Sequence, residues 1–149
     1  MNSDSPRSKT PKITINKRHQ SRIYAMQTLF QWHFTHESPE IVFQHFLDEH
    51  IESDKPVDLE YSRTLFFGTV QHADDIDTQM TPCLDRKITL LNPVELTVLR
   101  LAIYELQHHP EVPPPVVINE AIELAKEFGS VEGYKFVNGV LNTIVKKKS

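Results

Sequence analysis

The side chains of this 149-residue chain that could do chemistry are eight histidines, one cysteine and a scatter of carboxylates. Glu105-Leu-Gln-His108 has the Glu-x-x-His spacing that helical bundles use for a di-iron centre. Such a centre needs a second copy and two further glutamates, and the sequence holds no second copy. His33 and His36 stand three apart near one helix end. His108-His109 falls at another, where partial positive charge suits the helix dipole. Cys83 has no patterned His or Asp partner to activate it. Glu120, Glu123 and Glu127 share one helix side and read as a solvated face. The four glycines, Gly68, Gly129, Gly133 and Gly139, form no loop able to cradle phosphate. The expectation is a non-enzymatic chain with no cofactor and no metal site.

Binding chemistry is better represented. Arg18 and Arg22 are spaced i,i+4, so they leave a helix from one side, close to its start. Free backbone N–H groups and the positive dipole end there suit phosphate, and Lys17 adds a cation. The alternative is that both arginines lie along the apolar stripe as amphipathic side chains. In the last helix the apolar stripe centres on Val137, Val140, Leu141 and Ile144. Phe136 lies to one side of it, beside Lys135, Asn138, Gly139 and Asn142. A ring next to a cation and amides suits an unpaired base stacked on it. Packing of Phe136 under the preceding loop is the competing reading.

The elements that must position these residues are all helical, because no segment alternates apolar and polar residues long enough for a strand. A first helix is expected over about Lys17–Phe34. Its apolar stripe (Ile23, Ala25, Met26, Leu29, Phe30, Trp32, Phe34) is too wide for a helix packed on one side. Tyr24, Gln27, Thr28 and Gln31 take the narrow opposite side. Ser38 and Pro39 open a second helix. A third pattern runs from Asp58 to Met80 with a break near Asp74–Asp75, and Gly68 inside it implies a close helix crossing. Asn92, Pro93 and Glu95 start the next helix as cap, first position and capping-box carboxylate. Pro110–Pro115 forces a stiff turn. Helices then follow over about Pro115–Phe128, with Gly129 as the stop, and about Glu132–Val145. The expected fold is all-α, a compact bundle of six to seven helices in two small subbundles.

Charge is polarised along the chain. Residues 1–22 carry six Lys/Arg against Asp4 alone, and Lys146, Lys147 and Lys148 stand among the last four residues. Residues 23–145 hold nineteen acidic and seven basic residues within an overall net charge of −4. Basic ends on an acidic body suit contact with a polyanion at the ends and with something cationic on the body. Residues 1–16, rich in Ser, Pro and Lys, are expected to be a mobile basic arm. Residues 17–149 are expected to form a single helical domain. A lone cysteine fits a reducing cytosol, and no apolar run approaches the ~20 residues of a membrane span. A cytoplasmic location is expected.

Three segments, VLRLAIYEL, VINEAIELAKEFG and KFVNGVLN, strongly resemble the NusB family of bacterial transcription antitermination factors, and AMQTLFQW is similar to that family's first helix. The likeness extends from about Arg18 to Thr143. It implies an enzyme-free RNA-binding protein that binds boxA elements of ribosomal RNA leader transcripts. The implied partners are the ribosomal protein NusE and RNA polymerase with other Nus factors; a homodimer of the RNA-free chain is left open. Carried over by position, the family's arginine-rich start falls on Arg18–Arg22, where two arginines are kept. Its RNA-facing aromatic falls on Phe136, with Lys135 beside it, and its positions for the ribosomal partner fall on Phe30 and Glu95. The alternatives are a non-catalytic subunit of ribosomal RNA modification or maturation, and a purely protein–protein adaptor.

Overall fold

The computed structural model describes residues 6–50 and 54–148, with side chains of the first helix described from Lys17 onward. Among these residues there are seven α-helices and no strand. They are α1 (Pro6–Thr35), α2 (Pro39–His50), α3 (Leu59–Gln71), α4 (Ala73–Met80), α5 (Pro93–His108), α6 (Pro114–Phe128) and α7 (Gly133–Lys148). Short 3-10 turns at Thr81–Cys83 and Ile88–Leu90 link α4 to α5. No described helix is long and apolar enough to cross a membrane. The expected all-α fold in two subbundles is what forms. Helices α1, α2 and α3 touch one another, as do α5, α6 and α7, and α1 and α3 join the groups by packing on α5.

Helix α1 starts earlier than the Lys17 read from the sequence, with its backbone helical from Pro6. Of the arm expected over 1–16, residues 1–5 lie outside the described residues. The width of the α1 stripe has the expected consequence, since α1 packs on α2, α3 and α5. Its face assignment needs two corrections. Tyr24 and Thr28, assigned to the polar side, are buried, whereas Phe34, assigned to the stripe, is 58% exposed. For Tyr24 the cause is α2, which folds back so that the Tyr24 ring meets Phe46 edge-on at 5.1 Å. Phe34 sits in the last turn of α1, and its ring packs against Phe30 at 5.0 Å. His36, at φ 55°, then turns the chain into the link to α2.

Asp58 caps α3 by accepting from the Tyr61 N–H at 3.1 Å. The break in the third pattern falls at His72, two residues before the expected place. Gly68 does mark a close crossing: a Cβ there would overlap the Tyr104 ring of α5. Asn92 caps α5 as expected, accepting from Val94 and Glu95 N–H at 2.8 and 3.3 Å. The Glu95 carboxylate does not complete the capping box. It turns away to the α6–α7 link, where it accepts from the Ser130 N–H at 3.0 Å and its hydroxyl at 2.6 Å. Gly129 stops α6 at a negative φ of −95°, so the left-handed cap is not used. Glycine is required because a Cβ would press on the Ala125 carbonyl and on Glu95.

Candidate nucleic-acid interface

The basic start of α1 is held against α3 by a small-residue contact. Ser21, fully buried, donates to the Asp58 carbonyl at 2.8 Å and accepts from the Asp58 N–H at 3.0 Å. Ser62 donates to the Ser21 carbonyl at 2.9 Å. This brings Arg18 over the Tyr61 ring at 3.7 Å and within 3.9 Å of the Asp58 carboxylate. Arg18 keeps about a third of its side chain in solvent, at 36%, and Lys17 is exposed. Both remain reachable by phosphate.

Arg22 does not. The sequence put it beside Arg18 as a phosphate contact, but it is 4% exposed and its guanidinium is taken up inside the molecule. It grips Glu105 of α5 through Nε at 3.0 and 3.1 Å and through Nη2 at 2.7 Å. Nη1 reaches Glu120 of α6 at 3.3 Å, and His19 meets the same Glu120 oxygen at 2.8 Å. The Tyr61 hydroxyl donates to Glu105 at 2.5 Å. Burial works to lower the pKa of Arg22, and the hydrogen bonds and charge of Glu105 outweigh it, so the pKa stands above its ordinary value. Burial, then the Glu105 charge, pushes Tyr61 up as well. Glu120 is therefore part of this network rather than of a solvated face; Glu123 and Glu127 are exposed as expected.

On α7, Val137, Val140, Leu141 and Ile144 are buried, which leaves Lys135, Asn138, Gly139 and Asn142 as an exposed strip. A Cβ on Gly139 would meet nothing within 4 Å, so backbone itself is open there. Asn142 donates to the Asn138 side chain at 2.8 Å and fixes its orientation. Phe136 is half-buried, with its inner side on the core. Arg86, from the link between the two 3-10 turns, lies 5.1 Å from the ring centroid. Lys135 pairs with Glu132 at 2.6 Å, with both side chains mostly in solvent.

The two residues assigned to a protein partner differ in exposure. Phe30 is half-buried between two clefts on the α1–α2 side. One, of about 340 Å³, is lined by Met26, Gln27, Phe46, Val94 and Phe128. The other, of about 540 Å³, is lined by Phe34, Glu37, His45, Asp48 and Glu49. Glu95 is 6% exposed and engaged with Ser130, so it shapes the α6–α7 link and does not present a free carboxylate.

Helix α5 anchors both α1, at Arg22, and the start of α7. Arg22 is tied to Glu105 near one end of α5, and the start of α7 abuts Glu95 near the other. Ten residues at 1.5 Å each place these anchors about 15 Å apart. The sequence reading missed two residues. Glu105 was weighed only as a metal-type ligand, although a carboxylate within a two-sided apolar helix calls for a buried cation. Arg86 carried no signal beyond its place in the Asp85-Arg86-Lys87 charge run.

The model of the NusB family matches residues 19–146. The transcription antitermination protein NusB of Coxiella burnetii (strain Dugway 5J108-111) is 52% identical over 131 residues, covering 87% of this chain and 94% of that protein. The chain belongs to the NusB family. The NusB of Histophilus somni (strain 2336) is 45% identical over 130 residues, with 87% and 90% covered. Among solved structures, NusB of T. maritima superposes with a TM-score of 0.77 at 33% identity, covering 87% of this chain and 91% of that one. A crystal structure of the antitermination factors NusB and NusE in complex with dsRNA gives 0.79 at 30% identity, covering 88% and 97%.

Proposed function

We propose that this chain is a non-catalytic transcription antitermination factor that binds boxA-type leader RNA of ribosomal RNA operons together with NusE. The pair joins RNA polymerase with other Nus factors, and the chain acts in the cytoplasm. The observation that carries the reading is the α7 strip. Lys135, Asn138, Gly139 and Asn142 are exposed on the helix that carries the half-buried Phe136 ring, and they offer a cation, amides and open backbone. The ring offers stacking, and the strip offers hydrogen bonds and charge. Lys17 and Arg18 add phosphate contacts at the far end of α5, with Arg22 as the internal strut beneath them. The carboxylates of Glu37, Asp48 and Glu49 in the lining of the Phe30 cleft suit a basic ribosomal protein, because complementary charge steers encounter.

A titration of boxA-type RNA against a scrambled sequence, with and without NusE, tests this. Preference for boxA-type RNA that strengthens when NusE is present is expected. Equal, weak binding of both RNAs under both conditions overturns it.

A further inference from the structure

The side of the Phe136 ring turned away from the core is not bare. Arg86 lies over it at 5.1 Å, within the range where a guanidinium is attracted to an aromatic face. Asp85 holds Arg86 there, accepting from Nε at 2.9 Å and from Nη2 at 3.4 Å. Both side chains are about half or more in solvent, and they lie in the link between the 3-10 turns at Thr81–Cys83 and Ile88–Leu90. If Phe136 stacks a base, the base must arrive on the side that Arg86 covers. Stacked layers sit roughly 3.5–4 Å apart. A base between ring and guanidinium therefore needs about 7–8 Å, an opening of roughly 2–3 Å from the present separation. Arg86 can supply that by side-chain rotation, since its ion pair with Asp85 is exposed.

We propose that Arg86 is a nucleobase-contacting residue. Its guanidinium closes over Phe136 in the RNA-free chain and swings outward to hold an unpaired base against the ring. The inference rests on the reading of Phe136 as a stacking residue and adds the second wall of the slot. The planar, delocalised guanidinium stacks on bases, which the ammonium of lysine cannot do in the same way. Planarity, and not charge alone, is what the slot uses.

The test is the affinity of the full chain for the boxA-type RNA in Arg86→Ala, Arg86→Lys, Phe136→Ala and the Arg86→Ala/Phe136→Ala double variant. Arg86→Ala is expected to weaken binding on the order of tenfold, as loss of a stacking partner does. Arg86→Lys should stay close to Arg86→Ala, and the double variant should lose little beyond Phe136→Ala alone. Wild-type affinity in Arg86→Lys, or losses that simply add in the double variant, overturns the slot. If Phe136→Ala weakens RNA binding and Arg86→Ala does not, Arg86 is removed and the reading of Phe136 stands. If Phe136→Ala has no effect, that reading and the slot fall together.

Discussion

Arg22 and Glu105 lie 83 positions apart in the chain and form a bidentate pair that solvent barely reaches. A buried pair of this kind adds little over a well-packed apolar pair, but breaking it strands a charge at a cost of about 3–5 kcal/mol. Glu105→Gln is therefore expected to lower the unfolding free energy by about that much, read as a lower urea midpoint at an unchanged m-value. The double variant Arg22→Met/Glu105→Leu should lie closer to the parent, because it removes the need along with the partner. Tyr61 adds a pH dependence whose sign is fixed. Burial and the Glu105 charge raise its pKa above the ordinary 10.0. The protonated form is thus favoured in the fold, and its stabilisation is complete below that pH and lost as pH climbs past it. Unfolding free energy measured from about pH 9 to 11 should fall less steeply in Tyr61→Phe than in the parent. Tyr104, also raised by burial, keeps part of the alkaline loss. At this scale the sequence was a partial guide. The i,i+4 spacing of the two arginines put both near one helix end, but it could not say that Ser21 would draw that end into α3 and carry Arg22 inward.

Among the elements, glycine positions decide how closely helices approach. Gly68 lets the Tyr104 ring of α5 lie against α3, and a methyl group there would overlap it. Gly68→Ala should cost about 1–3 kcal/mol by overpacking, even though alanine is the better helix former. In a Tyr104→Ala background the same change should cost far less, which thermal unfolding of the four variants would show. The crossing was legible because a mid-helix glycine needs a compensation. Helix starts were legible wherever a side chain closed the first turn, as Asp58 and Asn92 do. The role of Glu95 was not. Its position fits a capping box, and only the approach of Ser130, 35 residues away, redirects the carboxylate. Phe34 shows the same limit, since helical periodicity places a residue on a face and does not say where the covering helix ends.

Across the whole molecule, the helices that carry the basic start and the α7 strip both pack on α5. The salt dependence of RNA binding should divide the two arginines. Each phosphate contact on a single strand contributes about −0.7 to the slope of log affinity against log salt. Arg18→Ala should reduce the slope by about that amount. Arg22→Ala should leave the slope alone and lower the unfolding midpoint, because its charge faces Glu105 rather than solvent. The all-helical bundle was readable from composition and periodicity. Where the basic start and α7 are anchored was not, because it depends on how both helices pack on α5. Helix α5 touches α1, α3, α4, α6 and α7, and Val98, Leu99, Leu101, Ala102 and Ile103 within it are all buried. Amide protons in its middle turns can meet deuterium only when every surrounding helix has let go. Their exchange should therefore report the global opening of the chain, while amides along the outer α7 turns near Lys146 and Lys147 trade hours earlier.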